Sequence, residues 1–188
     1  MTKRQPSPYG LATLETVSQE AYIETTIPGF RYEDVVTSDL PHAKNHCAAT
    51  AIANLALYYA NIGKSSAVSA TPKETLESVY EMVGNGPILF FKKRAERYFR
   101  KHGEILSMHA ISRAEISSAL GRGHIAVLLL RDGLLHWHWV LAVGERVYAS
   151  GRRYLMVMDG WHRSHPRYLE ITRRGNLVYA LECEMKMF

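Results

Sequence analysis

Cysteine is scarce in this chain. Cys47 and Cys183 are the only two among 188 residues, and they form no Cys-x-x-Cys pair. That argues against a disulfide framework and against a structural zinc site. Long apolar runs are missing as well. None reaches the roughly 18 residues of a membrane-spanning helix. The basic opening, Met1-Thr2-Lys3-Arg4-Gln5-Pro6-Ser7-Pro8, has no apolar stretch behind it, so no secretory signal is expected. The cytosol is the expected compartment, with no membrane partner. Four histidines, His136, His138, His162 and His165, lack both a His-Glu-x-x-His helix and an acidic cluster to join them, so no metal is expected. Gly121-Arg122-Gly123 lacks the glycine spacing and the Lys-Ser/Thr of a phosphate loop, and no cofactor is expected. There is no internal repeat and no low-complexity tract.

What is present is an ordinary globular composition with a formal charge of +5 and a pI near 9.2. That excess permits an acidic partner without requiring one. Lys92, Lys93, Arg94, Arg97, Arg100 and Lys101 crowd one stretch, but no nucleic-acid motif or aromatic-basic array accompanies them. They read as a solvated helix face, and no nucleic-acid partner is expected. The length suits a single domain over residues 1–188. Its divisions are an extended N-terminal segment (1–40), a mainly helical half (41–121) and an antiparallel sheet half (122–188).

Residues 1–20 are polar and mixed, and loose packing is expected. Residues 21–36 read as extended segments around Pro28-Gly29. From Cys47 the pattern becomes helical, with Ile52, Leu55, Tyr58 and Tyr59 on one face and Gly63 as the stop. Thr71-Pro72-Lys73-Glu74 combines an N-cap, a first-turn proline and a capping box. A basic helix is expected over 88–101, and a second capping box, Ser112 to Glu115, opens a short helix ending near Leu120. Then the period changes. Residues 124–130 are a continuous apolar run, Asp132-Gly133 is a hairpin signal, and His138 to Gly144 is the returning strand. Tyr154 to Met158 is a third strand delivering Asp159-Gly160-Trp161. Residues 168–171 and 177–183 read as a last hairpin around Arg174-Gly175-Asn176. The fold class is α+β.

Cys47 opens a helix, where unpaired N–H groups and the helix dipole favour a thiolate. A small buried core residue is the competing reading for it. His138 opens one strand and Asp159 closes the next, so antiparallel pairing brings them to one sheet margin. His136, two residues earlier, shares the face of His138 and is a rival base. A thiol, an imidazole and a carboxylate at one point would suit nucleophilic attack on a carbonyl carbon. Trp161 would cover the imidazole–carboxylate bond. Asp159 also has a plain reading as a turn residue, since Asp-Gly is a common turn pair. Cys183 lies in an apolar strand and reads as packing.

Asn45-His46-Cys47-Ala48-Ala49-Thr50-Ala51, His138-Trp139-Val140-Leu141-Ala142-Val143-Gly144 and Met158-Asp159-Gly160-Trp161 together resemble the papain-like cysteine peptidases. The resemblance is closest to the small bacterial branch similar to double-glycine (bacteriocin) leader peptidases, and spans residues 40–165. It implies a papain-like fold with the Cys at the start of the central helix. It also implies a Cys47–His138–Asp159 triad acting on a peptide or small amide through a thioester. Two departures stand out. Ala48-Ala49 replaces the family's Gly-Pro, and Pro41 stands where the oxyanion Gln usually lies, leaving Asn45, His46 or the backbone to serve. A catalytically impaired binding protein and an acyl or peptidyl transferase are the alternative functions. Substrate specificity and oligomeric state are left open.

Overall fold

The computed structural model describes residues 8–13, 17, 19–32, 34–85, 90–163, 165–171 and 176–186. In chain order the elements are β1 (Leu11–Ala12), β2 (Tyr22–Thr26), α1 (Cys47–Asn61), α2 (Pro72–Val83), α3 (Phe91–Lys101) and β3 (Ile105–Ile111). They continue with α4 (Ile116–Gly121), β4 (Ile125–Asp132), β5 (His136–Tyr148), β6 (Arg153–Met158), β7 (Arg167–Glu170) and β8 (Leu177–Lys186). The result is a mixed α+β fold with one antiparallel sheet, ordered β1-β7-β6-β5-β4-β8-β3, while β2 pairs with the far half of β5. Among the described residues no helix is long and apolar enough to cross a membrane.

Helix α1 is the centre of the molecule. Residues 48–59 are all buried, and a helix that is apolar all round belongs inside a core. Its few polar groups are each answered. Asn54 donates to the Val35 carbonyl at 2.8 Å and accepts from the Val35 amide. The Tyr59 hydroxyl donates to the Cys183 carbonyl at 3.0 Å. These bonds fix α1 against both the preceding loop and strand β8, and so fix where its first residue points. The α2 start follows the sequence signals closely: the Glu74 amide donates to Thr71 Oγ1 and the Thr71 amide to Glu74 Oε2.

Other expectations are refined or corrected. The stretch 41–121 is mainly helical, as expected, but it also carries the strand β3, which pairs with β8 from Ile105↔Lys186 to Ile111↔Ala180. Among the described residues of the N-terminal segment, packing is not loose: Leu11 and Val17 are buried and β1 pairs with β7. Helix α3 starts at Phe91; residues 88 and 89 lie outside the described residues. The expected last hairpin does not form. Strand β7 pairs with β6 and β1, whereas β8 inserts between β4 and β3. Its turn residues Arg174 and Gly175 lie outside the described residues. The reason is burial: Ala180, Leu181 and Cys183 are enclosed on β8, and only a central position in the sheet gives them cover on both sides.

Candidate active site

Three elements converge on one cavity of about 530 Å³, whose lining includes Tyr9, Asn45, His46, Cys47, His136, His138 and Trp161. Cys47 is the first residue of α1 and is half-buried. The backbone of Trp139, Ala48 and Cys47 itself favours the thiolate form of its sulfur. Trp139 lies on β5 one residue beyond His138. Cys183, by contrast, is fully enclosed and belongs to the core, as expected.

His138 is 2% exposed. Strand β6 runs antiparallel to β5 with Leu141 opposite Met158, so the chain leaving β6 runs back past the first residues of β5. Hence His138 and Asp159 meet, as the strand argument anticipates. The contact differs from the expected one in chemistry. His138 Nε2 lies 2.7 Å from the main-chain carbonyl oxygen of Asp159. A carbonyl only accepts, so Nε2 carries the proton and Nδ1 keeps a lone pair. That is the tautomer a general base needs.

The Asp159 carboxylate is occupied elsewhere. Oδ1 accepts the Trp161 and His162 amides at 2.9 and 3.0 Å, and Oδ2 accepts His162 Nδ1–H at 2.7 Å. Binding the amide two residues on is an Asx-turn. The side chain therefore shapes the loop whose backbone orients His138. Gly160 is required in that loop: its φ is +75°, and a Cβ would come 3.3 Å from the Thr50 methyl. The Gly160 carbonyl in turn accepts the Thr37 amide at 2.8 Å. Trp161 stacks on His138 with centroids 3.8 Å apart and planes 7° from parallel, so it covers the imidazole face.

The electrostatics correct another expectation. Burial pushes the Cys47 thiol above its ordinary value, outweighing the three backbone groups that pull it down. Burial also lowers His138 from 6.5 to about 4, although the Asp159 carbonyl and charge oppose it. The resting pair at neutral pH is thus thiol and neutral imidazole rather than thiolate and imidazolium.

The remaining expected residues divide. His136 is exposed and stands at the cavity rim, so it is a poorer candidate base than His138. His46 is the N-cap of α1, and its Nε2–H is committed to the Thr37 carbonyl at 2.8 Å. Its Nδ1 is therefore an acceptor in the neutral ring, which argues against an oxyanion role. Asn45 is exposed, with φ +50°. Tyr9 was not expected here at all. Its ring centroid lies 5.1 Å from that of His138 and 5.7 Å from that of Trp161. No local pattern marks Tyr9, because a packed strap is a long-range feature. No group of three or more ligating side chains suited to a metal occurs among the described residues.

Comparison with models of known protein families gives no match, and no curated protein sequence matches the chain either.

Proposed function

We propose that this protein is a papain-like cysteine hydrolase acting on a peptide or small amide through a thioester. The observation that carries this reading is the pairing of Cys47, at the tip of α1, with an imidazole in the same cavity whose Nε2 proton is held by the Asp159 carbonyl. His138 Nδ1 takes the Cys47 proton as sulfur adds to the carbonyl carbon and the C=O π pair moves onto oxygen. Collapse restores the C=O and breaks the bond to the leaving amine, which takes the proton back from His138. Water, deprotonated by the same imidazole, then cleaves the thioester and releases the thiol. Since the resting pair is neutral, proton transfer accompanies attack rather than preceding it. The Asp159 backbone acts as the orienting third member, and Trp161 keeps water off the His138 face.

p-Nitrophenyl acetate tests this. Wild-type protein is expected to release a burst of nitrophenol and to carry an acetyl group on Cys47. Cys47→Ala is expected to show neither, and His138→Ala to acylate about 10²–10⁴-fold more slowly. Iodoacetamide labelling should accelerate steadily from pH 6 upward, because the thiol is raised; a plateau already at pH 6 would mean a resting ion pair. No burst and no adduct would leave the impaired binding protein, which the missing side-chain carboxylate on His138 favours. Transfer of the acetyl group to an added amine in preference to water would instead identify a transferase.

A further inference from the structure

An acyl transfer at Cys47 creates an oxyanion, and a preorganised donor aimed at it is usually among the largest contributions to rate. His46 has committed its proton to Thr37. Asn45 lies out in solvent. Tyr9 is different. Its backbone is one of two non-glycine sites with positive φ among the described residues, and the other, Asn45, lines the same cavity. A left-handed tyrosine is held only by its surroundings. Here Leu11, two residues on, is buried and paired with Leu169 of β7, so the strap is pinned beside the ring. The ring itself rests against His138 and Trp161.

Tyr9 lines the same cavity as Cys47. Burial, then the charges of Cys47 and Asp132, push its phenol above the ordinary value of 10, so it keeps its proton at neutral pH and can donate. No group among the described residues accepts that proton. Resting on the thioester chemistry proposed above, we propose that the Tyr9 hydroxyl donates a hydrogen bond to the oxyanion formed when Cys47 attacks a carbonyl carbon.

Two reagents separate this role from general support of the site. p-Nitrophenyl acetate acylates Cys47 through an oxyanion. Iodoacetamide alkylates it by displacing iodide from a saturated carbon, with no oxyanion. In the full chain, Tyr9→Phe keeps the ring and its packing and removes only the donor. Its acylation rate is expected to fall about 10²-fold, with the alkylation rate within about twofold of wild type and Cys183 still unlabelled. Equal acylation in Tyr9→Phe and wild type overturns the inference, as does a parallel loss of both reactions, which would make Tyr9 a packing residue. A wild-type chain that is alkylated but never acylated overturns the hydrolase reading and this inference together.

Discussion

Strand β4 runs between two buried polar clusters of opposite character. At its start His124 meets the carboxylate of Glu182, which is 2% exposed, at 2.7 Å. Arg122 Nη2 donates to both Glu182 oxygens at 2.6 and 2.8 Å, and His109 Nε2 lies 2.9 Å away. Burial alone would raise this carboxyl, but the Arg122 and His124 bonds outweigh it and hold it below its ordinary value of 4.5. At the other end of β4, beside its hairpin to β5, the buried group is His138, answered by one backbone carbonyl and an indole face. A charge with three partners is held in its ionised form and has little left to offer a substrate. An imidazole with one nitrogen satisfied and the other facing a cavity keeps its reactivity. Perturbation therefore runs in opposite directions at the two ends: Glu182 is driven toward charge and His138 away from it.

Acid titration of stability should break the two apart, and the larger effect belongs to His138. Its folded value, about 4, is below its unfolded value of 6.5, so the unfolded chain binds the extra proton first. Stability is complete above pH 6.5 and falls as pH drops toward 4, by on the order of 3 kcal/mol from this group. Urea denaturation at intervals from pH 7 to 4 measures it. His138→Gln should flatten the curve across that window. An unchanged slope would mean that the imidazole titrates as an exposed one does.

Glu182 acts in a different window. Its folded value is lowered, so its contribution is present above pH 4.5 and is lost only as pH falls below that. Glu182→Gln should cost about 2 kcal/mol at pH 7. Breaking a buried pair typically costs about 3–5 kcal/mol, but the half-exposed Arg122 can turn to water here. Acylation of Cys47 should not change. A variant that lost acylation while keeping its stability would join the two ends of β4 functionally and dissolve the contrast.

These two clusters also differ in how far the sequence reveals them. Cys47 at a helix start and His138 beside Asp159 follow from local signals: a period of 3.6, an Asp-Gly hairpin and the pairing of adjacent strands. Both capping boxes are local too, which is why α2 begins where Thr71 and Glu74 say. The Glu182 cluster draws on β3, β4 and β8, and β8 lies next to strands distant in the chain. Its neighbours are decided by burial of Leu181 and Cys183, not by any turn. The same limit hid Tyr9, which arrives from a strap pinned to β7. The Asp159 case is subtler. Every residue carries the carbonyl that orients His138, so sequence cannot mark it, while the carboxylate that drew attention serves the turn. His136 and His138 share a strand face, and only depth below the hairpin distinguishes them.

The smallest test lies inside the Glu182 cluster. His109 and His124 touch the same carboxylate at nearly the same distance, yet their side chains are 56% and 25% exposed. Exposed pairs gain little, because water competes for both partners and long-range attraction is screened. His109→Ala should therefore change stability at pH 7 by no more than about 0.5 kcal/mol in thermal or urea unfolding. His124→Ala should cost more, since it leaves Glu182 Oε1 with Arg122 alone. If the two substitutions cost the same, exposure is not what ranks the partners. The carboxylate would then be held by summed charge, and the sharp difference drawn between a saturated cluster and a reactive one would rest on His138 alone.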